Sequence, residues 1–361
     1  MLNRLTLGFI TLTALTAADF DWKLPQGFPR PVVPKDNPMS ATKVELGRRL
    51  FYDKRMSING KQSCGSCHQQ AFAFTDGLAR ARGATGQLHP RSSMSLVNVA
   101  YARYLTWANT SIRLLEEQAL IPMLSEQPVE LGLKGQEQQF LDEVRHDPVY
   151  QRLFPQAFAG ADDVYTLANV TRAIAAFERT IISVRSPYDR YRWGGDTSAI
   201  SEAAKRGEII FNSSERGGCF QCHGGWNFGG AIRYEGQDEP SGDLAHGFFN
   251  TGVVVYAAPN RGLYEQTHRT DDMGLFRVPS LRNVAITAPY MHDGSLPTLD
   301  AVLEHYAAGG KNENPNKSHI LHPLRLTDED KRDLIEFLKS LTDPEVVRDP
   351  RWSDPWVAGA H

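Results

Sequence analysis

The 361-residue chain has almost no charge imbalance, no alternating strand pattern, no long apolar run past its N-terminus and only four cysteines. Lys and Arg number 39 against 42 Asp and Glu, a formal charge of −3. That balance provides no basic field to attract nucleic acid or an anionic membrane surface. No segment after the first twenty residues is apolar for long enough to span a bilayer, so no membrane span is expected. Without period-two alternation a sheet-dominated fold is excluded. What is left is a globular composition, 41% hydrophobic, at a length that suggests two domains.

Residues 1–18 have the pattern of a secretory signal peptide. Arg4 supplies the positive start, residues 5–14 (LTLGFITLTA) the apolar run, and small residues allow cleavage after Ala17 or Ala18. The run is well short of the roughly 20 apolar residues that a spanning helix needs. The expectation is therefore export to a bacterial periplasm without an anchor.

In an exported protein four cysteines would ordinarily mean disulfides. Here they fall as two pairs, each followed at once by histidine: Cys64, Cys67 and His68 in CGSCH, and Cys219, Cys222 and His223 in CFQCH. This spacing is the attachment pattern of c-type haem. Two thiols three residues apart reach the two vinyl groups of one porphyrin, and the adjacent histidine ligates the iron from the proximal side. A redox-active Cys-x-x-Cys would call for a βαβ context. A zinc site built from all four thiols would leave both histidines idle. The reading is two haem c groups, held by two sets of three residues.

The rest of the chain reads as helices and loops. Prolines crowd residues 19–37, which run extended. Thr42 and Glu45 form a capping-box pattern ahead of Val44, Leu46, Leu50 and Phe51, predicting a helix that ends near Tyr52. Helical spacing of Leu167, Val170, Ile174, Phe177 and Ile181 predicts a helix over 164–183, with Asp162 or Asp163 as its cap. Residues 185–196 (RSPYDRYRWGGD) have the composition of an inter-domain linker, and a helix over 200–211 then leads to the second cysteine motif. ELGRRLFY (45–52) and AKRGEIIF (204–211) are alike and precede their motifs similarly, which points to duplication. Residues 224–272 read as glycine-rich loop; Thr298 and Thr327 cap two further helices. The fold class is mostly α: two cytochrome c-like helical domains, 19–190 and 191–361, each with one haem.

These residues resemble the bacterial dihaem cytochrome c peroxidase family, including its MauG-like branch. The resemblance runs from residue 37 to 341. It is carried by NPMSATKVELGRRLFYD (37–53), SCGSCH (63–68), LEEQALIP (115–122), CFQCH, and FRVPSLRNVAITAPYMHDGSLPTL (276–299). It implies that hydrogen peroxide reacts at the His68 haem, while the His223 haem passes electrons. The donor would be a small c-type cytochrome or cupredoxin; in the alternative, a protein substrate is oxidised. Trp107 would bridge the two haems. Gln118 and Glu130 would be the polar pair beside the peroxide, with Glu126 as a substitute because the intervening stretch is two residues longer than in some relatives.

Tyr306 stands where standard members carry a methionine ligand to the second iron and MauG-like members a tyrosine. An anionic oxygen ligand favours higher oxidation states than thioether sulfur does; Met291 and Met273 are the rival ligands. Two departures matter. The loop histidine that blocks the first haem in standard members is replaced at the matching position by Ala84, and His89 lies out of register. The protein-modifying member for which the branch is named has a tryptophan six residues before the second motif's histidine, where this chain has Gly217, so that specific reaction does not carry over. The family's calcium site implies carbonyl donors at Thr287 and Pro289, with Ser92 in place of an asparagine. A dihaem electron carrier and a peroxide sensor are the competing readings of the whole.

Overall fold

The computed structural model describes residues 20–237, 247–253, 256–311 and 316–357; the signal-peptide reading lies outside them. The described chain is mostly helical, in two halves that repeat one packing device. In the first half α1 (Ala41–Phe51) crosses α7 (Leu167–Glu178). A Cβ on Gly47 would lie 1.8 Å from the Ala173 carbonyl oxygen, so the two backbones touch at the crossing and only glycine fits. In the second half α9 (Glu202–Phe211) crosses α13 (Asp328–Ser340), and a Cβ on Gly207 would lie 2.0 Å from the Asp333 carbonyl oxygen. All four positions are related by the same shift of 160 residues. Phe51 and Phe177 meet at 5.2 Å between ring centres, and Phe211 and Phe337, the same shift on, at 5.1 Å. Two fully buried aromatic pairs, at ~1.5–3 kcal/mol per buried side chain, anchor the two cores.

Between α1 and α7 the chain forms α2 (Cys64–Cys67), α3 (Leu115–Gln118), α4 (Leu120–Leu124), α5 (Glu137–His146) and α6 (Pro148–Ala157). The second half adds α8 (Pro187–Arg192), α10 (Phe220–His223), α11 (Tyr264–Thr267) and α12 (Leu299–Ala307). The described residues hold one two-stranded antiparallel pair, β1 (Phe248–Phe249) with β2 (Phe276–Arg277). It falls partly inside the stretch read as loop.

Helix starts differ from the sequence reading for local reasons. Ser40, not Thr42, caps α1, its side chain accepting from the Lys43 N–H. Thr166 caps α7 because the Asp163 carboxylate already binds the Tyr165 N–H and Arg145. Residues 185–196 are not a free linker. Ser186 and Asp189 form a reciprocal capping box for α8, and Asp189 makes a buried two-point ion pair with Arg282 at 2.8 and 2.9 Å. Removing either partner would strand a buried charge, at a cost of ~3–5 kcal/mol.

The two halves are joined by a second repeat that the sequence reading passed over: SLVNVA at 95–100 and SLRNVA at 280–285. Asn98 and Asn283 both adopt left-handed backbone (φ 57° and 62°), a conformation asparagine tolerates. Both side chains bond to Ser183, at its carbonyl and its hydroxyl respectively. The chain's end also ties back. Tyr52 Oη donates to the Trp352 carbonyl at 2.7 Å, and Val346 and Trp352 are buried in the first core.

Candidate functional site

Each cysteine motif forms one turn of helix facing a cavity. His68 Nδ1–H donates to the Phe74 carbonyl at 3.0 Å, and His223 Nδ1–H to the Phe228 carbonyl at 3.1 Å. A carbonyl can only accept, so Nδ1 carries the proton and Nε2 keeps its lone pair for a metal. Burial lowers both imidazole pKa values, that of His223 to about 4, so both rings are neutral at pH 7. The four cysteines form no disulfide. Burial pushes the thiols of Cys67 and Cys219 up to about 12 and that of Cys222 to about 11, and raises Cys64 as well. Such thiols are protonated at neutral pH, which does not suit a redox-active thiolate pair. Among the described residues no three His, Cys, Asp or Glu side chains converge as a metal cluster, so the four thiols do not assemble a zinc site.

The first cavity is lined by Cys64, Cys67, His68, Gln118 and Glu130. Local structure brings the last two together. The Arg179–Glu116 ion pair, at 2.8 Å and nearly buried, fastens α3 to the end of α7 and so fixes Gln118. Main-chain bonds from Leu131 N to the Pro122 carbonyl and from Leu133 N to the Met123 carbonyl fold the next segment back along α4, delivering Glu130. Burial raises the Glu130 carboxyl to about 7. Glu126, the suggested substitute, is exposed, paired with Lys134 and absent from the cavity wall.

Two further groups border this cavity that sequence reasoning did not place there. His89 lies on its wall, with Nε2 3.9 Å from Glu130 Oε1. Ala84, at the register where a blocking histidine was sought, instead donates its N–H to the Glu130 carbonyl. Glu178, at the end of α7, is buried, with Oε2 unpartnered among the described residues. The available signal was an acid on the apolar side of a helix.

The second cavity, of about 290 Å³, is bounded by Cys219, Cys222, His223, Trp107, Met291 and Tyr306. Tyr306 comes from α12, and burial beside Cys222 and Cys219 holds its phenol above the usual range. Met291 shares this wall, whereas Met273 does not. Gly217 also borders it; a Cβ there would lie 2.5 Å from the Ile210 carbonyl oxygen, so the backbone itself leaves no room for a tryptophan. Trp107 is held at both ends. Its indole N–H donates to the Ser92 carbonyl at 2.9 Å, and its own carbonyl accepts from Arg277 N at 2.8 Å.

Two polar groups in this wall lack the partner that a haem would bring. His292 Nε2 is buried without a hydrogen bond among the described residues, its ring stacked on Phe276 at 3.7 Å. Arg277 bonds to the Thr106 carbonyl and Met94 sulfur, with no acid against it among the described residues, and burial lowers its pKa to about 10. A cation and a ring nitrogen left over in a cavity with a histidine ligand suit the carboxylates of a porphyrin. The residues therefore fit haem. Of the residues expected at a calcium site, Thr287 and Pro289 both line this cavity, and Ser92 Oγ donates to the Met291 carbonyl.

Two helical halves, each offering a neutral histidine and two thiols to its own cavity, define a dihaem cytochrome. The chain belongs to the di-haem cytochrome c peroxidase family, a family of haem oxidoreductases with two haem cofactors. The model of that family matches residues 41–198. The chain is 38% identical to cytochrome-c peroxidase IdrP1 of Denitromonas iodatirespirans, over 94% of this chain and 93% of that one. It is 32% identical to the methylamine utilization protein MauG of Methylorubrum extorquens, over 93% and 88% respectively. Among solved structures it is similar to a MauG-like protein associated with microbial copper homeostasis, with a TM-score of 0.89 and 40% identity, over 94% of this chain and 100% of that one.

Proposed function

We propose that this chain is an exported peroxidase with two covalently attached haem c groups, at Cys64, Cys67 and His68 and at Cys219, Cys222 and His223. It reduces hydrogen peroxide in the first cavity, with electrons delivered through the second: H₂O₂ + 2 H⁺ + 2 e⁻ → 2 H₂O. The observation that carries this is Glu130, whose carboxyl burial brings to about 7 in the cavity that His68 also lines. An acid–base group is most effective with its pKa near the working pH. When bound, haem supplies the iron that takes up peroxide and the electrons that cleave its O–O bond. Glu130 takes the proton from the near oxygen and returns it to the far one, so that water leaves. The Gln118 amide, lining the same cavity, orients the peroxide without competing for the proton. Tyr306 is the protein ligand that would complete the second site, and Trp107 the ring across which the two sites exchange electrons. The donor is a small c-type cytochrome or cupredoxin. Oxidation of a protein substrate is the second reading; it is favoured by Tyr306 on the wall of the second cavity.

The test is the optical and EPR spectrum of the holoprotein before and after one equivalent of hydrogen peroxide. One high-spin and one low-spin ferric haem, with the high-spin signal lost on peroxide without prior reduction, is the expected result. Two low-spin haems inert to peroxide even after half-reduction would make the chain an electron carrier.

A further inference from the structure

His89 has no part in the reaction as set out above, yet it stands on the wall of the same cavity. We infer that His89 is a positioning residue for Glu130, its Nε2–H being the donor that holds the Glu130 carboxylate in place. This rests on the peroxidase reading of the first cavity.

The tautomer follows from one bond. His89 Nδ1 accepts the Arg91 main-chain N–H at 3.1 Å, so a neutral ring must carry its proton on Nε2. That nitrogen lies 3.9 Å from Glu130 Oε1, a gap closed by a small side-chain rotation or bridged by one water. The backbone beneath both groups is laced together. His89 N donates to the Ala81 carbonyl at 2.7 Å, and Ala84 N to the Glu130 carbonyl at 2.6 Å. Gly83 lies so close that a Cβ there would stand 1.9 Å from the Val129 carbonyl oxygen. The loop carrying His89 and the segment carrying Glu130 thus keep a fixed separation.

The surrounding charges keep His89 a neutral donor. Arg91 and Arg80 flank it on its own loop, Arg80 Nε donating to the His89 carbonyl, and both disfavour an imidazolium, as does burial. Arg82 borders the cavity from the same loop, Glu178 borders it from α7, and Cys64 and Cys67 from α2. Glu130 is the acid that faces the ring. The two side chains are 27% and 31% exposed, so the pair stands at the mouth of the cavity and not behind it. A donor that bonds to the ionised form of Glu130 favours that form. The form is the one that accepts the first proton of peroxide.

The experiment is the pH profile of kcat/KM for peroxide in the holoenzyme and in H89A, H89Q and E130Q, with haem content and ferric EPR recorded for each. In H89A the midpoint of the acidic limb should move up by about one unit, lowering kcat/KM near pH 6 about tenfold. H89Q, which restores an N–H donor, should recover most of that shift; a structural role would not distinguish the two by pH. If H89A and H89Q both leave the limb where it is while E130Q abolishes it, the role of His89 is overturned and that of Glu130 stands. If E130Q keeps full activity, the peroxidase reading of Glu130 fails first. If H89A turns a low-spin first haem high-spin, His89 is an iron ligand and the inference is wrong.

Discussion

The Trp107 indole N–H donates to the main-chain carbonyl of Ser92 at 2.9 Å, and Ser92 N donates in turn to the His292 carbonyl at 2.9 Å. A ring from the first half is thereby fixed against the loop that closes the second cavity. Trp107→Phe keeps an aromatic ring and removes the donor. It should lose about 1 kcal/mol of stability, the net worth of one hydrogen bond. If the ring carries electrons between the sites, transfer from the second haem to the first should slow by more than tenfold, over ~1.4 kcal/mol of barrier. Stopped-flow mixing of half-reduced enzyme with peroxide reads that rate; an unchanged rate leaves Trp107 a packing residue only.

Gly47→Ala and Gly207→Ala test the repeated crossing. In each case the added methyl meets a backbone carbonyl that cannot swing aside, at 1.8 and 2.0 Å. The expected cost is ~3 kcal/mol or more, the upper end of overpacking effects. For a chain of 361 residues that corresponds to a fall in Tm of roughly 4 °C, measured by calorimetry. G47A should broaden the EPR signal of the first haem and G207A that of the second.

The cysteine motifs, the caps at Thr298 and Thr327 and the mostly helical class were legible because they depend on spacing of a few residues. Gln118 and Glu130 were reached through resemblance, since neither has a local signature. His89 was missed because counting back from Arg91 assumes an extended loop. Here Gly83 N bonds back to the Gln87 carbonyl and Arg82 pairs with Leu88, so the loop doubles over and His89 lies against the cavity. Residues 185–196 were misread for the opposite reason. Proline and charge suggested a linker, while Ser186–Pro187 followed by Asp189 is equally a helix start, and the deciding partner, Arg282, is 93 residues on from Asp189. Long-range partners of that kind leave no mark on composition.

Tyr306 and Met291 share the wall of the second cavity, and substitution separates them. If Tyr306 is the ligand, Tyr306→Met should raise the potential of the second haem by on the order of 100 mV or more, within the roughly 0.8 V that axial ligands span. Tyr306→Phe should leave that haem high-spin. Potentiometric titration followed optically checks both. If neither variant moves the potential, Met291 holds the iron.

Glu178 offers a test that needs no turnover. Burial raises its carboxyl to about 8, with Arg179 opposing the rise and Glu116 adding to it, and Oε2 has no partner among the described residues. In the unfolded chain a glutamate titrates near ~4.3. Between those values the folded protein keeps a proton that the unfolded one has released, so stability falls as pH rises across that window and the loss is complete above about 8. Glu178→Gln, neutral at every pH, escapes the loss. It should match the parent near pH 5 and exceed it near pH 9, by on the order of a few kcal/mol. Denaturant unfolding of both proteins at the two pH values measures the difference. If the parent instead gains stability from pH 5 to 8, Glu178 is ionised in the fold, and the first cavity supplies a cation that neutralises it.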